Sequence, residues 1–222
     1  MKVLTEPKAG KCGVIVYQQG RYGQIARALA IPANPQTVAQ MAVRNRLTLA
    51  SRAWGALSQA VRDAWTALAA QMQSQGTLGL HGALTGNQLF SRVYCNDLII
   101  GAPAPTTPPA LPTFDPLPIA SLEITNPGGV VALKLVTTGS PAEGTMLRGA
   151  APCSQGRYQP GSYRYLGTLT SPVGGRIDIT TPYTARYGAP AVGAKVFVRV
   201  NQNLNGITDT PMTFVGIVPA SS

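Results

Sequence analysis

The stretch GAPAPTTPPALPTFDPLP, residues 101–118, holds seven prolines. Each proline fixes its own φ and lacks a backbone N–H, so the segment is extended and joins neither a helix interior nor a central strand. It therefore separates the chain into stretches that must find regular structure independently. Before it, apolar residues recur at helical spacing. After it come short β-rich runs separated by Gly, Pro, Asn and Ser, about seven in roughly 100 residues, the pattern of an antiparallel sandwich. The expected fold class is α+β.

Local signals place the elements of the first part. Thr37 and Gln40 form a T-x-x-Q capping box, in which the hydroxyl and the amide each satisfy an orphan backbone N–H. A helix is expected over 37–56. Ser58 is placed to cap a second helix over 59–73, with Val61, Ala64, Trp65, Leu68 and Met72 on one face. Thr85 and Gln88 repeat the box, and Gly101 stops a third helix over 86–100. Upstream, Val14–Tyr17 and Tyr22–Leu29 flank Gln18-Gln19-Gly20-Arg21 and predict a β-hairpin. The Gly-rich residues 74–84 read as a loop. Both tryptophans, Trp54 and Trp65, fall on the first two helices. Buried in the crook of a helical hairpin, each indole contributes about 2–3 kcal/mol. The expected core there is Trp54, Leu57, Trp65, Leu68 and Phe90, with Arg62 pointing outward.

The final hairpin, KVFVRVNQNLNGITDTPMTFVGIV, resembles the last two strands of a fibronectin type III domain, through Val196–Val200, Asn203, Asn205-Gly206 and Thr210-Pro211. Val196 or Phe197 stands where that family has a tyrosine, and no tryptophan occurs in 119–222. The resemblance implies an Ig-like sandwich. The expected organisation is a basic hairpin and helical docking domain over 1–102, a Pro-rich linker over 103–118, and an Ig/fibronectin III-like β-sandwich over 119–222.

The pattern NPQTVAQMAVRNR…WGALSQAVRDAW…LTGNQLFSRVYCN is similar to small uncharacterised proteins encoded among phage and prophage structural genes. That resemblance implies a virion component, made in the host cytoplasm and working without chemistry of its own. Its partners would be capsid or tail proteins, in many copies or as a homo-oligomer. The net charge of +10 favours acidic partner surfaces. Residues 1–102 hold ten Lys/Arg against three Asp/Glu (+7), and 103–222 hold eight against five (+3). Candidate interface residues are Tyr17, Arg21, Tyr22, Arg27, Arg44 and Arg46, and, in GRYQPGSYRYLG, Tyr158, Tyr163 and Tyr165.

Rival readings attach to the same residues. W-x-x-L-S-x-x-x-R-x-x-W also looks like two helices of a high-mobility-group box, which implies an architectural DNA-binding protein with an apolar minor-groove wedge. An Ig-like domain also fits an extracellular adhesin, a filament subunit or a carbohydrate binder. Enzymatic chemistry has little to stand on. One histidine (His81) and eight Asp/Glu leave few acid–base pairs, although Asp63, Asp97 and His81 are candidates to meet. No phosphate loop, nucleophile elbow or zinc-helix motif occurs, so no cofactor or metal is expected. Cys12, Cys95 and Cys153 form no CxxC pair and read as reduced, partly buried thiols. Neither a secretory signal nor a run long enough to span a membrane is expected.

Overall fold

The computed structural model describes residues 9–20, 23–31, 34–72 and 82–221. The chain forms two compact units, one up to Val43 and one from Arg44 onward.

The described part of the first unit contains β1 (Gly10–Cys12), β2 (Ile15–Gly20) and β3 (Gly23–Ala28), paired as an antiparallel meander in that order. The expected hairpin therefore gains a strand. Gly13, at φ +60°, allows a tight reversal, and Cys12 pairs back on Ile15. Gln18, Gln19 and Gly20 were expected in the turn but lie in the ladder, opposite Ile25, Gln24 and Gly23. A ladder is made by backbone groups, so glutamines extend it as well as valines do. Arg21 and Tyr22 lie outside the described residues. Helix α1 (Val38–Ala56) begins in this unit.

The second unit holds the rest of α1, then α2 (Gln59–Ala70) and α3 (Gly86–Ile100). After the Pro-rich segment come β4 (Ile119–Thr125), β5 (Ala132–Thr137), β6 (Met146–Gly149), β7 (Arg164–Thr168) and β8 (Arg176–Asp178). Helix α4 (Thr180–Tyr187) crosses to β9 (Lys195–Asn201). The short strands β10 (Asn203–Leu204) and β11 (Ile207–Thr208) precede β12 (Met212–Ile217). One sheet runs β4-β5-β8 and the other β12-β9-β6-β7, all neighbours antiparallel. Leu133, Leu135 and Ile177 of the first sheet share a buried core with Leu147, Val196, Val198, Val200 and Phe214 of the second. This is an antiparallel β-sandwich, first, second and fifth strands facing the rest. The fold is thus α+β, as the sequence patterns imply.

Two tyrosines of α4 fasten the crossover between the sheets. Tyr183 Oη donates to the Ala150 carbonyl at 2.8 Å, and Tyr187 Oη to that of Gly149 at 2.9 Å.

The Pro-rich segment is not where the compact units part. It forms no helix or strand before Ile119, as expected, yet it lies against the unit it was expected to bridge. Phe114 packs on the helical core, and Gln202 Nε2 donates to the Asp115 carbonyl at 2.6 Å. The β10–β11 hairpin completes the join. Its turn, Asn205-Gly206, takes positive φ at both positions (52° and 78°), as a tight hairpin turn demands. A Cβ on Gly206 would lie 2.4 Å from Val93 Cγ1, so only glycine permits this approach to α3. Asn96 Nδ2 donates to the Gly206 carbonyl at 2.8 Å, and Ile207 is buried in the helical core.

Candidate functional site

Among the described residues of the first unit, only Gln24 is buried. Its apolar side chains lie open or half-open, with Val14 78%, Ile31 81% and Val38 88% exposed, and Ile15, Ile25, Met41 and Val43 also exposed. Tyr17 is half-buried, opposite Gly10 and Ala26, and Arg27 is exposed opposite Val16. Helix α1 starts without an apolar core beneath it because its capping box forms. Gln40 N–H donates to Thr37 Oγ1 and Thr37 N–H to Gln40 Oε1, each at 3.3 Å. Further along α1, Leu47 and Leu49 are exposed too. Arg44 is exposed and Arg46 half-buried. Arg46 lies near enough to Cys95 to hold the thiol pKa down, but burial outweighs it and the net shift is upward. Cys12 is exposed rather than partly buried, since β1 has no cover among the described residues.

The tryptophan crook is a packing core, centred on α3. Trp65 and Phe90 are fully buried, with rings edge-on at 5.2 Å. Trp54 is only half-buried, 5.4 Å from Phe90, and Leu57 and Leu68 are likewise half-buried at the margin. Two expectations are corrected. Ser58 sits at the start of α2 but its hydroxyl makes no capping bond. Arg62 does not point outward. It folds back on the end of α1, donating from Nη2 to the Gly55 carbonyl at 2.7 Å and from Nε to that of Trp54 at 3.3 Å. The last carbonyls of a helix need donors, and a cation is favoured there. Trp65, buried in this cluster, offers no surface wedge for a minor groove.

The three tyrosines of the GRYQPGSYRYLG loop have different surroundings. Tyr158 is 86% exposed. Tyr163 is half-buried under Arg199, whose Cζ lies 4.0 Å from the ring centroid. Tyr165 is half-buried and donates to the Ile99 carbonyl at 3.4 Å. Only the first therefore stands free as an anchor. The others became part of the sheet surface because β7 begins at Arg164 and pairs with β6.

The residues weighed for acid–base work do not assemble. Asp63 is exposed and accepts from Gln59 Nε2 at 2.8 Å. Asp97 is buried on α3, its carboxyl pushed up to about 6 by burial. His81 lies outside the described residues. Among the described residues, no three His, Cys, Asp or Glu side chains come together as a metal set, and no helix is long and apolar enough to cross a membrane.

No protein-family model, curated protein or solved structure matches this chain. The candidate site thus rests on geometry alone, an apolar and basic surface on β1–β3 and on the start of α1 up to Val43.

Proposed function

We propose that this chain is a non-enzymatic structural component of a phage particle that attaches to other virion proteins through its first unit. One observation carries the proposal. Regular secondary structure up to Val43 stands, among the described residues, without one buried apolar side chain. A small sheet needs a hydrophobic face covered to be stable, and exposed apolar side chains flanked by cations mark a surface that partners cover. The β-strands offer edges for added strands, and the start of α1 offers an apolar face for a groove. Lys11 and Arg27 favour an acidic counterpart and speed the encounter. The Ig-like sandwich supplies the rigid body that is displayed. The resemblance of the helical motifs to phage structural proteins supports the same reading.

The test is a mass-spectrometric inventory of purified particles from induced cells that carry the gene. The protein is expected in the particle at a stoichiometry fixed from batch to batch. Its absence there, together with a purified protein that stays monomeric beside particle components, would overturn the proposal.

A further inference from the structure

On the outer face of the four-stranded sheet, Arg148 of β6 and Arg199 of β9 stand directly opposite each other, on the two central strands. Like charges at such a position work against the pairing. Neither has an ion-pair partner among the described residues. Among the described residues the one ion pair is Arg176 with Glu123, on the other sheet. Arg148 is the more strained of the two. Its Nε is buried with no hydrogen-bond partner, and its Nη2 has only the thioether of Met146, at 3.8 Å. Burial first, and the Arg199 charge second, lower its pKa. A β-bulge between Leu147 and Arg148 sets Tyr165 opposite Arg148 and leaves Leu166 to pack against the core. Bulges re-aim side chains in this way.

Arg92 of α3, held by Thr208 Oγ1 at 3.1 Å, lines the same cavity of about 460 Å³. Leu84 and Pro211 form apolar parts of its wall. Asp209 is also at the wall, but its carboxylate accepts the backbone N–H of Thr210. A second hollow of about 380 Å³ continues the groove past Tyr163 and Arg199 to Lys195.

We infer that this groove binds an acidic segment of a partner protein, with a carboxylate seated among Arg92, Arg148 and Arg199. Planar guanidinium groups match a carboxylate through paired N–H donors, and an anion there relieves the Arg148–Arg199 repulsion. Leu84 and Pro211 suit the methylenes of a glutamate. A single-stranded nucleic acid fits less well, because it needs a run of free aromatic faces for successive bases, and among the groove's rings only Tyr158, in the second hollow, is exposed. Here Arg199 covers Tyr163, and Lys195 Nζ lies 5.5 Å over Phe197. The residues that line the groove all belong to the second unit.

The experiment is fluorescence anisotropy of the full chain with a labelled oligo-glutamate peptide, and with labelled oligothymidylate, at low salt. Arg148→Gln and Arg199→Gln are each expected to weaken the peptide by at least about tenfold. Arg186→Gln, an exposed arginine on α4, and Val38→Glu, in the first unit, should leave it unchanged. Arg148→Gln should also raise the unfolding midpoint of the free protein, by about 1–3 °C, because it removes a like-charge pair. The inference is overturned by any of four results: no saturable binding of the peptide, binding indifferent to both arginines, tighter binding of oligothymidylate through the same arginines, or a lower midpoint for Arg148→Gln.

Discussion

Phe90 touches Trp54, Trp65 and Tyr94, at centroid distances of 5.4, 5.2 and 5.6 Å, and so joins three helices through rings. Trp65→Ala should cost about 3–5 kcal/mol in denaturant unfolding, the usual range for emptying a buried aromatic site. Trp54→Ala should cost distinctly less, since that indole is half-exposed. Asp97 gives a pH test. Its carboxyl titrates near 6 in the folded protein, against about 3.9 when unfolded, so the folded state holds the proton more tightly. Its contribution to stability is complete below about pH 4 and is lost as pH rises through about 6. Asp97→Asn should flatten the fall in unfolding midpoint between about pH 4 and pH 6. Asp178 acts in the opposite sense on the acid side. Hydrogen bonds from Thr180 lower its pKa, so its contribution disappears as pH falls through that lowered value. The burial of Trp65 was legible in the sequence, because amphipathic spacing sets it. The turn of Arg62 was not, because it depends on where the carbonyls ending α1 lie once α2 has folded back.

At the scale of elements, side-chain caps separate what forms locally from what packing imposes. The Thr85–Gln88 box forms in full, and Gly101 closes α3 with φ +77°, so the bounds Gly86–Ile100 agree with the sequence expectation. Thr85→Ala should cost about 1 kcal/mol, and Ser58→Ala close to nothing, because its hydroxyl makes no capping bond. Paired thermal melts check the contrast. All seven expected strands after the prolines are present, since alternation and turn residues mark them. Four elements were missed for physical reasons. β1 has three residues and no alternation to read. In GRIDIT the strand stops at Asp178, and TTPYTARY is a poor helix sequence that becomes α4 because Tyr183 and Tyr187 reach backbone carbonyls after β6 and at its end. The β10–β11 pair is two residues a side, visible in sequence only as its Asn-Gly turn.

At the scale of the molecule, one unit builds two cores, helical and sandwich, and the described part of the other buries no apolar side chain of its own. Composition and motifs pointed to a docking half but set its limit at the prolines, whereas the compact units part at Val43. The prolines forbid regular structure without forbidding contact, and nothing in a single sequence shows that β10–β11 returns to α3. The Arg148–Arg199 pair was hidden for a related reason. Alternation puts each arginine on an outer face, but only strand register, bulge included, sets them opposite. We propose that the exposed apolar side chains of the first unit fix the protein to a particle. The most direct measurement compares particles purified from cells making the wild-type chain with those from cells making Val38→Glu, scored by quantitative mass spectrometry. A charge at a position 88% exposed should leave the fold intact. The wild type is expected to be retained and the variant reduced by about tenfold or more, as loss of an anchoring contact implies. Equal retention of both would contradict it.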